Sequence, residues 1–314
     1  MTRAFIFPGQ GSQAVGMGRT LSEAFAPARE VFQEVDDALN QKLSRLMWEG
    51  PESELMLTEN AQPAIMAASY AIIRILQREG HFDLAPHARL VAGHSLGEYT
   101  ALCAAGALSL ADTARLLKAR GQAMQTAVPV GEGAMSALLG AEIELAEAAA
   151  EEAAEQGGVC VVANDNAPGQ VVISGSRATV ERAGEIAKAK GAKRAMALAV
   201  SAPFHCPLMQ PAADKMRDVL ATVSIRPLAV PLVANVTAGE TAEPETIRRL
   251  LVEQVTGRVR WRESVLAFRG LGIESTVEAG GAKVLTGMVK RIDKELQTVT
   301  LDTPADIEVF VKTL

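Results

Sequence analysis

The sequence predicts an α/β fold in two parts: a body built on a parallel sheet and a small inserted unit. Three observations carry this. Short apolar runs end in glycine-rich turns near residues 7–13 and 92–97, as strands do where they hand over to helices. Between them, apolar residues recur at helical spacing. From residue 133 to 199 the order becomes strand, helix, strand, strand, helix, strand, that of a ferredoxin-like unit, which folds as a compact module.

The elements follow in order. Residues 3–7 form a buried strand that runs into Pro8-Gly9-Gln10-Gly11-Ser12-Gln13. Across residues 22–48, Phe25, Val31, Phe32, Val35, Leu39 and Leu43 repeat at helical spacing, giving one or two amphipathic helices. Residues 62–78 are apolar almost all round and predict a buried helix. A strand at 89–92 leads into Gly93-His94-Ser95-Leu96-Gly97, and a helix-rich stretch follows through Ala127. The insertion reads as strands at 134–139, 159–163, 170–174 and 193–198, with helices at 143–155 and 179–190. The cluster Asn164-Asp165-Asn166-Ala167-Pro168-Gly169 is expected to turn the chain between the two middle strands. After Pro203 the body resumes, with strands near 231–235, 275–278 and 298–301. The expected domains are a discontinuous catalytic body, 1–130 and 200–314, and a small unit, 131–199.

Composition removes several function classes. With 314 residues, 48% hydrophobic and 22% charged, the chain is globular with ample core. A net charge of −6 lacks the basic excess of a non-specific nucleic-acid binder. The longest run without Asp, Glu, Lys or Arg, residues 195–213, contains Pro203, Pro207 and Pro211 and does not predict a membrane span. Pro8 ends the first apolar run too early for a signal peptide, so the mature protein is expected to start here. Cys103, Cys160 and Cys206 have no paired spacing, so no disulfide framework, zinc site or other metal is indicated. These features predict a cytoplasmic protein; a monomer is expected, and the serine chemistry described next needs no bound cofactor.

Gly93-His94-Ser95-Leu96-Gly97 matches G-x-S-x-G between a strand and a helix, the nucleophile elbow of α/β-hydrolase folds. Glycines on both sides allow the sharp turn. The Leu96 N–H and the helix dipole can then receive charge developing on a carbonyl oxygen. A serine nucleophile needs a base, and only four histidines exist. His94 adjoins the serine at a sharp turn, so its side chain should point elsewhere; His81 and His87 lie in a polar connection. His205, in Ser201-Ala202-Pro203-Phe204-His205, remains. No acid between Ser95 and His205 is convincing as a third member: Asp112 opens a helix and Asp165 belongs to the turn cluster. A backbone carbonyl could orient the imidazole without adding negative charge.

These residues, with Thr58-Glu59-Asn60-Ala61-Gln62-Pro63-Ala64, Arg120-Gly121, Asn164, Pro168-Gly169-Gln170 and Lys283-Val284-Leu285-Thr286-Gly287, give the chain a resemblance to the malonyl-CoA:acyl carrier protein transacylases of fatty-acid synthesis. The resemblance spans essentially the whole chain. It implies a hydrolase-like α/β core with a ferredoxin-like insertion, and an acyl-carrier-protein S-malonyltransferase whose partners are malonyl-CoA and acyl carrier protein. It also implies Ser95 as nucleophile, His205 as base, the Gln10 and Leu96 backbone N–H groups as oxyanion hole, and Arg120 as the clamp on the malonyl carboxylate. Gln62, Phe204, His94 and Asn164 are implied in the substrate pocket. Phe204 resembles the form that crowds out a branched methyl group. Where many relatives have Gln before Trp, this chain has Arg260-Trp261, and the Arg260 backbone carbonyl is expected to orient the base. Gly280-Gly281-Ala282 stands where Gly-Pro-Gly is usual.

Three rivals stand beside this reading, and one of them, a non-catalytic module that docks a carrier protein, would not need both reactive residues in motif context. Gly9-Gln10-Gly11-Ser12-Gln13-Ala14 imitates a dinucleotide fingerprint, but Glu34 and Asp36, at the needed distance, sit in an amphipathic helix. A serine esterase or thioesterase would use Ser95 and His205 equally; Arg120 and the missing acid favour transfer of an anionic acyl group to a thiol. An acidic carrier partner needs a basic patch, with Lys190, Lys193, Arg194, Lys290 and Arg291 as candidates.

Overall fold

The computed structural model of the chain describes residues 2–314. The larger sheet has the order β10-β9-β1-β2-β7-β8. Its centre is β1 (Arg3–Phe7), flanked in parallel by β2 (Leu90–Gly93) and β9 (Ser275–Ala279). Both central strands are apolar because helices cover the two faces of the sheet. β7 (Leu232–Val233) continues the parallel order beside β2, and β10 (Gln297–Leu301) beside β9. The last strand, β8 (Glu240–Thr241), runs antiparallel to β7. Two residues are too few for any periodicity, which is why the sequence did not announce it.

The small sheet has the order β4-β5-β3-β6, each strand antiparallel to its neighbour. Its strands are β3 (Gly133–Leu139), β4 (Cys160–Ala167), β5 (Gln170–Ser176) and β6 (Arg194–Ala197). Two helices, Ile143–Glu155 and Arg177–Ala189, bury Ala146, Ala149, Ala150, Ala153, Ala183 and Ala187 against it. Alanines let helix and sheet approach closely and form a core separate from that of the large sheet.

The expected turn at residues 164–169 is a strand for most of its length. β4 continues through Ala167 with two register shifts, and Gly169, at φ 68, makes the tight reversal. The polar side chains of Asn164, Asp165 and Asn166 are buried, not solvated. They face the larger part of the molecule. Asp165 pairs with Arg262 at 2.9 Å, and its N–H donates to the Val259 carbonyl at 3.0 Å. Val259 in turn donates to Ala163 at 2.8 Å, so a segment of the body lengthens the small sheet.

The stretch expected as one or two helices is three: Arg19–Ala24, Ala26–Leu39 and Leu43–Glu49. Asn40 ends the second in the left-handed region, at φ 47, a conformation that Asn tolerates better than most residues. The buried helix runs from Thr58 to Glu79, starting one turn before the apolar pattern does. Among the described residues no helix is long and apolar enough to cross a membrane.

That buried helix packs against helix Leu110–Thr126, which carries Arg120. The crossing is set by Gly121, where an added Cβ would lie 2.5 Å from Glu59 Cα and 2.7 Å from the Thr58 carbonyl oxygen. Helix propensity alone favours Gly121→Ala by about 1 kcal/mol, but overpacking against backbone costs ~1–3 kcal/mol. Sterics should win: urea unfolding is expected to show a net loss of up to ~2 kcal/mol. Unchanged or raised stability would mean that the two helices can part freely.

Candidate active site

The site lies at the carboxyl ends of neighbouring strands β1 and β2, where open α/β sheets place ligands. The loop after β1 brings Gly9 and Gln10; the loop after β2 brings His94 and Ser95. Gln10, Ser95, Arg120, Asn164, Phe204 and His205 are among the residues lining a cavity of about 280 Å³ between the two sheets.

Ser95 sits at φ 53, on a turn so tight that Gly93 and Gly97 have no room for a side chain. A Cβ on Gly97 would stand 2.2 Å from the Phe7 carbonyl oxygen, and one on Gly93 2.0 Å from Gly97 itself. The helix Gly97–Ala104 starts directly afterwards. The Ser95 N–H is engaged, donating to Asn235 Oδ1 at 2.7 Å. The Leu96 and Gln10 N–H groups, by contrast, have no protein acceptor among the described residues.

His205, also left-handed at φ 57, is buried. Its Nε2 accepts from Ser95 Oγ at 2.8 Å. Its Nδ1–H donates to the carbonyls of Gln254 at 2.8 Å and Gly257 at 3.1 Å, which fixes the tautomer with Nε2 free to accept a proton. Gln254 lies in the last turn of helix Pro244–Thr256, and Gly257 is its cap. The imidazole therefore faces the negative end of a helix dipole. Burial, reinforced by the charge of Arg120, pushes its pKa down to about 3.

The expectation for Arg260 is corrected here. Its carbonyl accepts from the Ser264 N–H and hydroxyl, both at 2.9 Å. Arg260 caps helix Trp261–Gly270, so that oxygen is committed to the first helical turn. Gln254 and Gly257 hold the imidazole instead. The sequence did carry a signal for Gln254: it shares the spacing of the buried Ile247, Leu250, Leu251 and Val255, so an amide stands at a core position.

Arg120 is fully buried, with no ion-pair partner among the described residues. Nη1 donates to Gln62 Oε1 at 2.8 Å, and Nη2 to Gln254 Oε1 at 2.9 Å and to Ser95 Oγ at 3.1 Å. Its Nε–H has no partner among the described residues, and the group lies over the Tyr99 ring at 5.6 Å. Burial pulls its pKa down. A desolvated cation held by neutral amides is a seat for an anion.

The remaining implied residues divide. Gln62 acts on Arg120 and Phe204 lies buried on the cavity wall. His94 meets Asn166 Oδ1 through Nε2 at 2.8 Å, tying the elbow to the small sheet. Asn164 lines the cavity. Three polar residues beyond those expected complete the constellation: Gln254, Asn235 and Glu98. Asn235 Nδ2 donates to the Gly93 carbonyl at 2.6 Å, bracing the elbow from the end of β7. Glu98, buried, accepts from Gln254 Nε2 at 2.6 Å and from the Asn235 N–H at 3.2 Å. Burial pushes its pKa up to about 7 against the pull of those donors and of Arg120. Among the described residues no cluster of three or more acids, histidines and cysteines could hold a metal ion.

Sheet, elbow and the Ser95–His205 contact define an α/β enzyme of the serine-and-histidine class. The chain belongs to the acyl transferase domain family, whose model matches residues 4–301. It is 44% identical over 311 residues to the malonyl CoA-acyl carrier protein transacylase of Bacillus subtilis (strain 168), covering 99% of this chain and 96% of that one. The protein of the same name from Escherichia coli (strain K12) is 45% identical over 302 residues, covering 96% of each. Among solved structures, the acyl-carrier-protein-S-malonyltransferase from Bartonella henselae matches with a TM-score of 0.97 at 53% identity, over 100% of this chain and 99% of that one. A malonyl-transacylase in complex with its type II PKS acyl-carrier protein matches at 0.96 and 42% identity over the whole of both chains.

The depressed His205 pKa has a consequence for stability. Between pH 6.5 and about 3 the unfolded chain takes a proton that the buried imidazole refuses, so this residue's contribution falls as pH falls. His205→Asn, with a side chain that tolerates the left-handed backbone, removes that dependence. The stability difference, wild type minus variant, should fall by ~2 kcal/mol from pH 6.5 to pH 5 in urea unfolding. A constant difference would show that His205 titrates normally in the folded protein.

Proposed function

We propose that the chain moves a malonyl group from malonyl-CoA to the phosphopantetheine thiol of an acyl carrier protein, in fatty-acid synthesis, by way of an ester on Ser95. The observation that carries this is Arg120: a buried guanidinium with no acid in contact among the described residues, donating to the hydroxyl that His205 also holds. A carboxylate on the acyl group supplies the charge that the protein withholds.

The steps follow from the contacts. His205 Nε2 takes the Ser95 proton as Oγ bonds to the thioester carbonyl carbon. The carbonyl oxygen becomes an oxyanion and rests on the free N–H groups of Gln10 and Leu96, the latter at a helix N-terminus. The carbon–sulfur bond breaks, and the coenzyme A thiolate leaves with the proton from His205. The carrier thiol then gives its proton to His205 and attacks the ester; Ser95 departs and recovers the proton. The imidazolium formed in each half is stabilised by two carbonyl dipoles. A neighbouring carboxylate would repel the malonyl anion.

Phe204 narrows the wall beside the acyl group and should disfavour a branched methyl. All reacting groups come from one chain, which supports action as a monomer. The three cysteines are buried and unpaired, in keeping with a reducing cytoplasm. We also propose the division into a body, 1–130 and 200–314, and a small unit, 131–199. Of the basic candidates for carrier docking, Lys190 pairs with Glu152 at 2.8 Å and Arg291 donates to the Pro168 carbonyl at 2.6 Å. That leaves Lys193, Arg194 and Lys290 as the better ones.

Intact mass after mixing with malonyl-CoA is expected to show one malonyl adduct, absent in Ser95→Ala, that moves to holo carrier protein on addition. Rapid release as free malonate without transfer would favour a hydrolase. Arg120→Ala should lower kcat/KM for malonyl-CoA on the order of 10²-fold, as loss of a buried charged partner does, and for acetyl-CoA far less. Equal losses would remove Arg120 from the carboxylate.

A further inference from the structure

Glu98 is a buried acid that no step above uses. The other two deeply buried acids among the described residues are accounted for. Asp165 pairs with Arg262. Glu278 accepts from the Leu285 and Thr286 N–H groups at 2.9 and 2.7 Å, capping a helix. Glu98 instead meets the amide of Gln254.

That amide has a sense. Its Nε2 donates to Glu98 Oε2 at 2.6 Å and to the Ser95 carbonyl at 3.0 Å; its Oε1 accepts from Arg120 Nη2 at 2.9 Å. Reversing it would set an oxygen against a carboxylate and an NH₂ against a guanidinium, two repulsive contacts in a buried site. An ionised carboxylate only accepts. It holds the NH₂ on its own side and the oxygen on the Arg120 side.

We propose that Glu98 is a positioning residue that, through the Gln254 amide, holds the Arg120 guanidinium in place and so sets the preference for an acyl donor bearing a carboxylate. The proposal rests on the malonyl-transfer reading. Glu98 stays at one remove from Arg120, so the guanidinium is oriented without being neutralised. A direct ion pair would orient it equally well but would occupy the seat of the substrate.

The test is Glu98→Gln, which preserves shape but offers Gln254 either a donor or an acceptor. Transfer from malonyl-CoA and from acetyl-CoA is measured at pH 8, where Glu98 of the wild type is ionised. The ratio of kcat/KM values, malonyl over acetyl, should fall at least tenfold, mainly through KM for malonyl-CoA. An equal loss for both donors, or an unchanged ratio, overturns the proposal, since a purely structural defect does not choose between donors. If Glu98→Gln folds poorly, Gln254→Met supplies the answer alone, since losing the amide should itself lower the ratio at least tenfold and an unchanged ratio overturns the proposal; where Glu98→Gln folds, the double variant adds a second check. With the amide gone, adding Glu98→Gln should change the ratio less than twofold, and a further tenfold fall would show that Glu98 acts by another route. Arg120→Ala in the same assay separates the two readings. If it leaves the ratio unchanged, malonyl recognition by Arg120 has failed; if it lowers the ratio and Glu98→Gln does not, only the present proposal has.

Discussion

Burying a guanidinium costs several kcal/mol unless hydrogen bonds and a counter-charge offset the lost hydration. Arg120 donates hydrogen bonds to Gln62, Gln254 and Ser95 but has no acid in contact among the described residues. The rest of the site can be understood from that constraint. An acid beside Arg120 would stabilise the empty protein and block an anionic substrate. An acid beside His205 would strengthen the base but place a second negative charge near the malonyl group. Both positions hold neutral oxygens. The nearest buried acid, Glu98, is separated from Arg120 by one amide.

Helix ends supply the polarity that acids would otherwise give. Ser95 precedes the start of helix Gly97–Ala104 and His205 faces the end of helix Pro244–Thr256. Negative charge develops at a positive helix end and positive charge at a negative one. Both reacting residues have left-handed backbones, at φ 53 and φ 57. Such conformations persist only where the surroundings over-determine them. Here Asn235 holds the Ser95 N–H and the Gly93 carbonyl, and Gln254 holds the Ser95 carbonyl and the imidazole.

Much of this was legible in the sequence because it is local. Glycines around Ser95, an apolar strand before it and alternating elements at 133–199 are signals that a few adjacent residues carry. The same signals stand behind the two sheets. What escaped was long-range. Gln254 bonds residues more than 100 positions away, and its only trace is an amide in a row of buried apolar residues. The Asn164–Asn166 cluster has the composition of a turn, yet its partners Arg262, Val259 and His94 keep it in a strand. Arg260 is expected to orient the base because it stands beside Trp261, but its carbonyl belongs to the first turn of a helix.

The most direct test of this account is a crystal structure of the acyl-enzyme formed from malonyl-CoA. The ester carbonyl oxygen is expected at ~2.7–3.1 Å from the Gln10 and Leu96 nitrogens. The free carboxylate is expected on Arg120, with Gln62 and Gln254 still bound to the guanidinium. A carboxylate turned away from Arg120 into solvent, or a carbonyl oxygen on neither amide, would contradict it.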